Sequence, residues 1–162
     1  MAQELGWAPT AQGIIQSGFL WGYMAVQLLA GRLADRYGGK LVLAVGIVWF
    51  SLASALLPAL LQPAVVAAGL SLPAAVLARA LVGLGEGVAL PSMNNLVAEH
   101  VPPSRRASAL GACFGGFQSG NLVGLLVSPL VLAAVGWRPL FYMYGLLGLP
   151  LLLLWMKMVP DR

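Results

Sequence analysis

Long apolar stretches separated by short polar, mostly basic, segments organise this chain from end to end. Five such stretches stand out, at about 12–30, 41–60, 70–97, 107–135 and 140–159. A helix needs about 20 apolar residues to cross the hydrocarbon of a bilayer, so each is a candidate membrane span. The third and fourth exceed that length and are expected to tilt, kink or project past the bilayer. An alternative for the third places a sixth helix within residues 62–78, with Pro73 marking a helix start or a kink near one membrane face. Polar and apolar residues do not alternate with a period of two, which argues against strands. The expected fold is an all-α polytopic transmembrane helix bundle.

Composition supports the same conclusion. Hydrophobic residues make up 60% of the 162 positions and charged ones 9%, with a mean hydropathy of +0.88. A soluble domain carries roughly 25% charged residues. Too little polar surface exists here to cover a water-facing core. The charges also set an orientation. Arg32, Arg36 and Lys40 fall between the first and second spans, Arg105 and Arg106 between the third and fourth, and Lys157 and Arg162 after the fifth. The other side has Arg138 in its short loops and Glu4 in the N-terminal segment. Short loops rich in Lys and Arg mark the cytoplasmic face or its equivalent in an organelle. The chain is expected to start outside, cross five times and end inside. The formal charge of +4 follows from this asymmetry. It forms no basic patch with aromatic or motif context, so nucleic acid is not an expected partner.

The first ten residues lack the basic and apolar regions of a signal peptide, and no Arg- and Ser-rich transit segment is visible. The single cysteine, Cys113, lies within a span and reads as a small packing residue. No linker divides the chain, and no metal or cofactor is expected. Lone His100 sits in an inside loop with no nucleophile nearby in sequence, so bond chemistry is not implied.

Two charges break the pattern. Arg79 and Glu86 lie inside the third apolar stretch, where a charge is costly and marks a functional site by default. Seven residues apart, they share a helix face but are separated by about 10 Å along the axis. Each is therefore expected to meet a residue on another helix, a water-filled cavity or a substrate. The plainer alternative is an arginine snorkelling to the interface and a glutamate neutralised by burial. Further polar residues within spans are Gln16, Ser17, Tyr23 and Gln27 on the first, Ser92, Asn94 and Asn95 on the third, and Gln118, Ser119 and Asn121 on the fourth.

The first inside loop reads GRLADRYGGK over residues 31–40. About ten residues joining two spans predict antiparallel neighbours. Gly31 allows a close approach or a helix end, and Gly38 with Gly39 relaxes the backbone before the next helix. Asp35 pairs with a neighbouring basic group or favours a helix N-terminus. Alternatively, the segment is only a positive-inside anchor with one solubilising acid. The fourth span repeats Gly116, Gly120 and Gly124 every four residues, a ridge that another helix can approach closely, and Gly83 and Gly87 add a shorter patch on the third.

That loop, GRLADRYGGK, resembles the segment joining helices two and three of major facilitator transporters. The stretches GWAPTAQGIIQSGFLWGYMAVQLLAG, RALVGLGEGVALPSMNNLVAEHVPPSRRASALG and VGWRPLFYMYGLLG resemble more narrowly the anion–cation symporter group, which includes sialic-acid and vesicular glutamate carriers. Plastid-type phosphate and anion transporters of plants and algae are the best match. The resemblance covers residues 6 to about 150. It implies a partial major facilitator domain over 1–162, supplying helices two to six of the first six-helix half. Helix one and the second half would lie outside the sequence, as expected of a fragment or incomplete gene model.

The resemblance also implies secondary transport of a small anion coupled to H+ or Na+, with phosphate leading and organic anions such as ascorbate or glutamate next. Arg79 matches the helix-four arginine of the anion carriers, and Glu86 the acidic residue coupled to protons or conformational change. Gln16 stands where the vesicular glutamate carriers have histidine, so that proton-linked role does not transfer. Tyr23, Asn94 and Asn95 complete the candidate substrate and coupling set, while Gly31, Asp35, Arg36, Gly39 and Lys40 form a gating loop. The implied membrane is the plastid envelope or thylakoid, otherwise the plasma membrane. The competing readings are a carrier of a neutral or cationic solute, with Arg79 structural, and a non-transporting membrane fragment or assembly partner.

Overall fold

A computed structural model describes residues 7–159, in which every regular element is helical. The helices are α1 (Pro9–Tyr37), α2 (Gly39–Leu60), the short α3 (Pro63–Ala67), α4 (Ser71–Glu86), α5 (Ala89–His100), α6 (Arg106–Val135) and α7 (Trp137–Met158), with a 3₁₀ turn at Pro103–Arg105 before α6. Taken with its continuation α5, α4 spans Ser71–His100, and 5 helices are then long and apolar enough to cross a membrane. The chain is a multi-pass integral membrane protein. Glu4 and Arg162, which entered the charge argument, lie outside the described residues.

Several boundaries differ from the sequence reading. No sixth span occupies residues 62–78. There α3 has only 5 residues, and Gly69, at φ +72°, ends the connection before α4 begins. Pro73 falls in the first turn of α4, where its missing N–H would have no intrahelical acceptor. The expected ten-residue loop over 31–40 is almost wholly helical. Leu33, Ala34 and Arg36 are good helix formers, and Ala30 and Ala34 are fully buried, so α1 continues to Tyr37. Gly38 alone makes the turn. Its φ of +87° is open to glycine, and its N–H bonds the Ala34 carbonyl at 2.9 Å. Gly31 neither ends a helix nor approaches a neighbour, for nothing lies within 4 Å of where its Cβ would stand.

The third span is interrupted at Gly87–Val88. Pro91 has no N–H to offer the Gly87 carbonyl four residues back, and its ring crowds that carbonyl. The break therefore falls one residue past Glu86.

Backbone-to-backbone contact holds the bundle together. Gly18 and Gly22 of α1 face Val76 and Ala80 of α4, while Gly83 of α4 and Gly87 just past its end face Phe19, Tyr23 and Val26 of α1. A Cβ on Gly22 would overlap the Ala80 carbonyl, and one on Gly83 would overlap that of Phe19. Helix α2 meets α4 where Gly46 opposes Gly85 and Val88, and meets α7 where Ser51 and Ala55 oppose Gly145 and Gly148. Lipid tails are as apolar as leucine, so close van der Waals packing at small residues must supply the attraction. One buried cluster joins Ile15, Leu57, Leu61, Ala75, Ala78 and Trp137, and a second joins Ala30, Val42 and Val88.

Helix α6 lies at the periphery. None of its residues is buried, and the expected close packing of Gly116, Gly120 and Gly124 is absent, with nothing within 4 Å of their Cβ positions. A ridge of small residues records that a helix is welcome but does not say which helix comes. A hydrogen bond of 2.8 Å between the Ser128 and Tyr144 hydroxyls ties α6 to α7, and Arg106 at its start donates to the Ala98 and Val101 carbonyls of the preceding segment.

The two ends of the bundle are chemically distinct. At one, Trp155 Nε1 of α7 donates to the Lys40 carbonyl at 3.0 Å, beside the Gly38 turn. Arg32, Arg36, Lys40, Arg105, Arg106 and Lys157 belong to this end. At the other, Trp7 Nε1 donates to Ser71 Oγ at 3.3 Å and Arg138 to the Leu61 carbonyl at 3.4 Å.

The packing separates two classes of glycine. Gly22→Leu forces α1 from α4 and is expected to destabilise the folded chain by about 1–3 kcal/mol or more, measured by unfolding in mixed micelles. Gly120→Leu, on the uncovered face of α6, should fall within about 0.5 kcal/mol of wild type. Equal losses for the two variants would contradict the assignment.

Candidate functional site

The glycine seam brings two polar stripes side by side. On α1, Gln16, Tyr23 and Gln27 fall within one helical face by their spacing of seven and four. On α4, Arg79 and Glu86 do the same. Gly83 and Gly87 lie against the Phe19 and Tyr23 backbone, with the Val26 side chain over Gly87 and that of Val76 over Gly18. Phe19 stacks at a tilt on Tyr23, with ring centroids 5.9 Å apart, and steadies the ring.

Tyr23 and Glu86 both lie near the middle of their spans. Tyr23 stands at the middle of Pro9–Tyr37 and Glu86 at the middle of Ser71–His100. Arg79 lies two turns nearer the Ser71 end. Arg79 and Tyr23 are half-buried, whereas Glu86 and Gln16 are exposed on the open side of the bundle. Among the described residues, no direct hydrogen bond or ion pair joins Arg79 to Glu86. This leaves both hydrogen-bonding ends available to a third group. An apolar groove of about 400 Å³ between α1, α2 and α4 contains neither charge, and its walls, such as Val26, Val45, Trp49 and Val88, do not suit an ion.

The other candidates divide by position. Asn94 is exposed on α5, and Asn95 lies far from Arg79, roughly 24 Å along the span at 1.5 Å per residue. Asn95 instead joins the gating-loop residues. Its Nδ2 donates to Asp35 Oδ1 at 3.2 Å, and its Oδ1 accepts from the Gly39 N–H at 2.9 Å. Asp35 was expected to pair with a basic neighbour or a helix N-terminus. Here it accepts from a neutral amide that itself caps one, and it makes further interactions besides. Arg36 lies over the Tyr37 ring at 5.4 Å, and Lys40 is also engaged. Gly31 takes no part. Gln118, Ser119 and Asn121 are exposed on α6, where Ser119 bonds back to the Gly115 carbonyl. The Gly18–Gly22 half of the seam was missed in sequence, although its spacing of four equals that of Gly83 and Gly87.

A bundle of this kind, with mid-depth charges on a broken helix, is an architecture found among secondary transporters. The family profile of the Major Facilitator Superfamily matches residues 1–162. The chain belongs to the Major Facilitator Superfamily. It is 43% identical over 157 residues to a probable chloroplastic anion transporter 4 of Oryza sativa subsp. japonica, covering 97% of this chain and 25% of that protein. It is 42% identical over 157 residues to a chloroplastic ascorbate transporter of Arabidopsis thaliana, covering 97% of this chain and 28% of that protein. It is 42% identical over 156 residues to a chloroplastic sodium-dependent phosphate transport protein 1 of the same plant, covering 96% of this chain and 29% of that protein. The chain thus spans well under a third of the length of these relatives.

If the polar seam faces water, cysteines replacing Gln16 or Glu86 in a Cys113→Ser background should react with a water-soluble maleimide in proteoliposomes. Cysteines replacing Trp21 or Leu28, exposed on the apolar side of α1, should react at least about tenfold more slowly. The reason is that a thiol must ionise to react and hydrocarbon suppresses ionisation. Equal rates at the two sets would place the seam in lipid.

Proposed function

We propose that this chain is part of a secondary transporter of small anions, with Arg79 attracting the anion and Glu86 serving as the titratable coupling group. The observation that carries the proposal is the placement of both charges within one span and on one of its faces, Glu86 at the middle and Arg79 two turns nearer the Ser71 end, neither joined directly to the other. An arginine at that depth with no carboxylate in direct contact has strong reason to hold an anion. Gln16 and Tyr23 share one face of α1 and would supply neutral hydrogen-bonding groups. The relatives named for anion, phosphate and ascorbate transport support the substrate class. Inorganic phosphate is the first choice and an organic anion such as ascorbate the second, with H+ or Na+ as the coupling ion. The chloroplastic names of those relatives favour a plastid membrane.

In this reading residues 1–162 correspond to helices two to six of the first half of the fold. The support is α6, whose glycine ridge meets no other helix among the described residues and whose Gln118 and Asn121 are exposed. Helix one and a second half would cover them. The basic end faces the cytoplasm or its organellar equivalent.

The test supplies the remaining helices from the Arabidopsis ascorbate transporter in a chimaera and measures phosphate and ascorbate uptake into proteoliposomes. Arg79→Ala should cut uptake roughly ten- to a hundred-fold, the size of a lost charge-assisted hydrogen bond, without loss of membrane insertion. Arg79→Lys should retain a part, because a point charge does not reproduce the guanidinium fork. Glu86→Gln should leave exchange of substrate intact but remove its dependence on the pH gradient. Wild-type uptake in Arg79→Ala rules out the anion role, and an unchanged pH profile in Glu86→Gln rules out the coupling role.

A further inference from the structure

We propose that Ser108 is a phosphorylation site for a protein kinase that reads basic residues ahead of its serine, and that Arg105 holds the resulting phosphate over the first turn of α6. The inference concerns regulation of the chain and does not depend on the nature of the transported solute.

The segment entering α6 reads Pro103-Ser104-Arg105-Arg106-Ala107-Ser108. Kinases choose substrates largely by charge pattern, and arginines two and three positions before a serine present a dense positive charge to an acidic substrate groove. Of the chain's serines, only Ser108 has two basic residues in the three positions before it; Ser104 precedes both arginines. Exposure agrees with the pattern. Arg105, Ala107 and Ser108 are all exposed, and among the described residues no hydrogen bond engages the Ser108 hydroxyl. The segment also lies beyond the hydrocarbon. Helix α6 has 30 residues, about 45 Å at 1.5 Å per residue, against a hydrocarbon core of about 30 Å. No residue from 129 to 135 is polar, so the surplus length belongs at the Arg106 end. By the bias of Lys and Arg, that end faces the compartment where a soluble kinase and ATP are found.

The two arginines diverge, and each has its own task. Arg106 donates from Nε to the Val101 carbonyl at 3.0 Å and from a terminal nitrogen to the Ala98 carbonyl at 2.7 Å. Four residues after Ala98 stands Pro102, which has no N–H to give that carbonyl, so the guanidinium supplies the donor the helix lacks. Arg106 is thereby committed to the end of α5. Arg105 is exposed, on the residue before α6 and three positions before Ser108, a spacing at which helix side chains are neighbours. The first N–H groups of α6 have no acceptor within the helix, so its first turn opens at low cost, as binding in a kinase groove requires. In the transfer, Ser108 Oγ attacks the γ-phosphorus of ATP. The new Oγ–P bond forms as the bond from phosphorus to ADP breaks, and the hydroxyl proton passes to the kinase's catalytic carboxylate. The phosphate then carries a charge of about −1.5 to −2 at the third position of α6. It lies beside the orphan N–H groups and one turn from Arg105, which pairs with it while Arg106 keeps the α5 carbonyls.

The test uses the full chain in lipid nanodiscs, which leave both faces open, with ATP and the catalytic subunit of cyclic-AMP-dependent protein kinase as the probe. Phosphopeptide mass spectrometry should find phosphate at Ser108 and none at Ser104. Ser108→Ala should abolish the label. Arg105→Ala, at an exposed position, should slow labelling roughly ten- to a hundred-fold, the scale of a lost charge-assisted hydrogen bond. Once Ser108 is fully phosphorylated, exchange of the amides of residues 107–109 should slow about two- to fivefold, as a favourable charge at a helix start implies. Protection of α2 and α7 amides, unchanged by the label, reports that the labelled chain is folded. In Arg105→Ala labelled to completion by longer incubation, the slowing at residues 107–109 should be smaller. No phosphate at Ser108, or equal labelling with and without Arg105, overturns the site. Unchanged exchange at residues 107–109, or the same slowing without Arg105, overturns the hold by Arg105.

Discussion

The approach of α1 to α4 at bare backbone governs the rest of this structure. Four glycines, Gly18 and Gly22 on one helix and Gly83 and Gly87 on the other, remove the side chains that would hold the axes apart. In lipid no hydrophobic effect drives two apolar helices together, so the gain comes from dispersion over closely matched surfaces. The same contact sets the register between Tyr23 and Glu86. Stability and site geometry here rest on the same absent atoms.

The placement of charge follows from that register. Arg79 and Glu86 are too far apart along α4 for a direct pair, and α1 offers them only neutral groups, Gln16 and Tyr23. A membrane protein that carried these charges for structure alone would be expected to neutralise them against each other. In the proposed reading, keeping them apart preserves their capacity to bind an anion and a proton. The helix ladder is interrupted at Gly87–Val88, immediately past the carboxylate, and Asn95 on the continuing α5 bonds to Asp35 and Gly39. The chain thus connects a mid-depth site to its basic end through a single element, α5.

Much of this was legible in the sequence because membrane helices announce themselves. Runs of apolar residues as long as a bilayer is thick admit few other structures, and the Lys and Arg asymmetry sorted the ends into one basic and one nearly neutral group. Arg79 and Glu86 were visible as exceptions to the same rule. Other features were hidden for definite reasons. The charged segment 31–40 resembled a loop because its polarity suggested water, yet a helix can project past the bilayer and remain helical in water, as α1 does through Arg36. The glycine ridge of α6 was conspicuous and the Gly18–Gly22 pair was not, although only the second is packed here; spacing shows which surface is smooth but not which partner meets it. Asn95 was grouped with the substrate residues since it lies on their helix. Its partners, Asp35 and Gly39, are about sixty positions away in sequence, and no local pattern encodes that contact.

The most direct measurement of the central claim is the distance between the α1 and α4 backbones in a bilayer. Solid-state NMR on the chain labelled at Gly22, Tyr23, Ser51, Ala80, Gly83 and Gly148 should show carbon–carbon contacts between Gly22 and Ala80 and between Gly83 and Tyr23. Contacts between Ser51 and Gly148, where α2 meets α7, report whether the bundle is folded. Absence of both α1–α4 contacts while the Ser51–Gly148 contact persists would contradict the account.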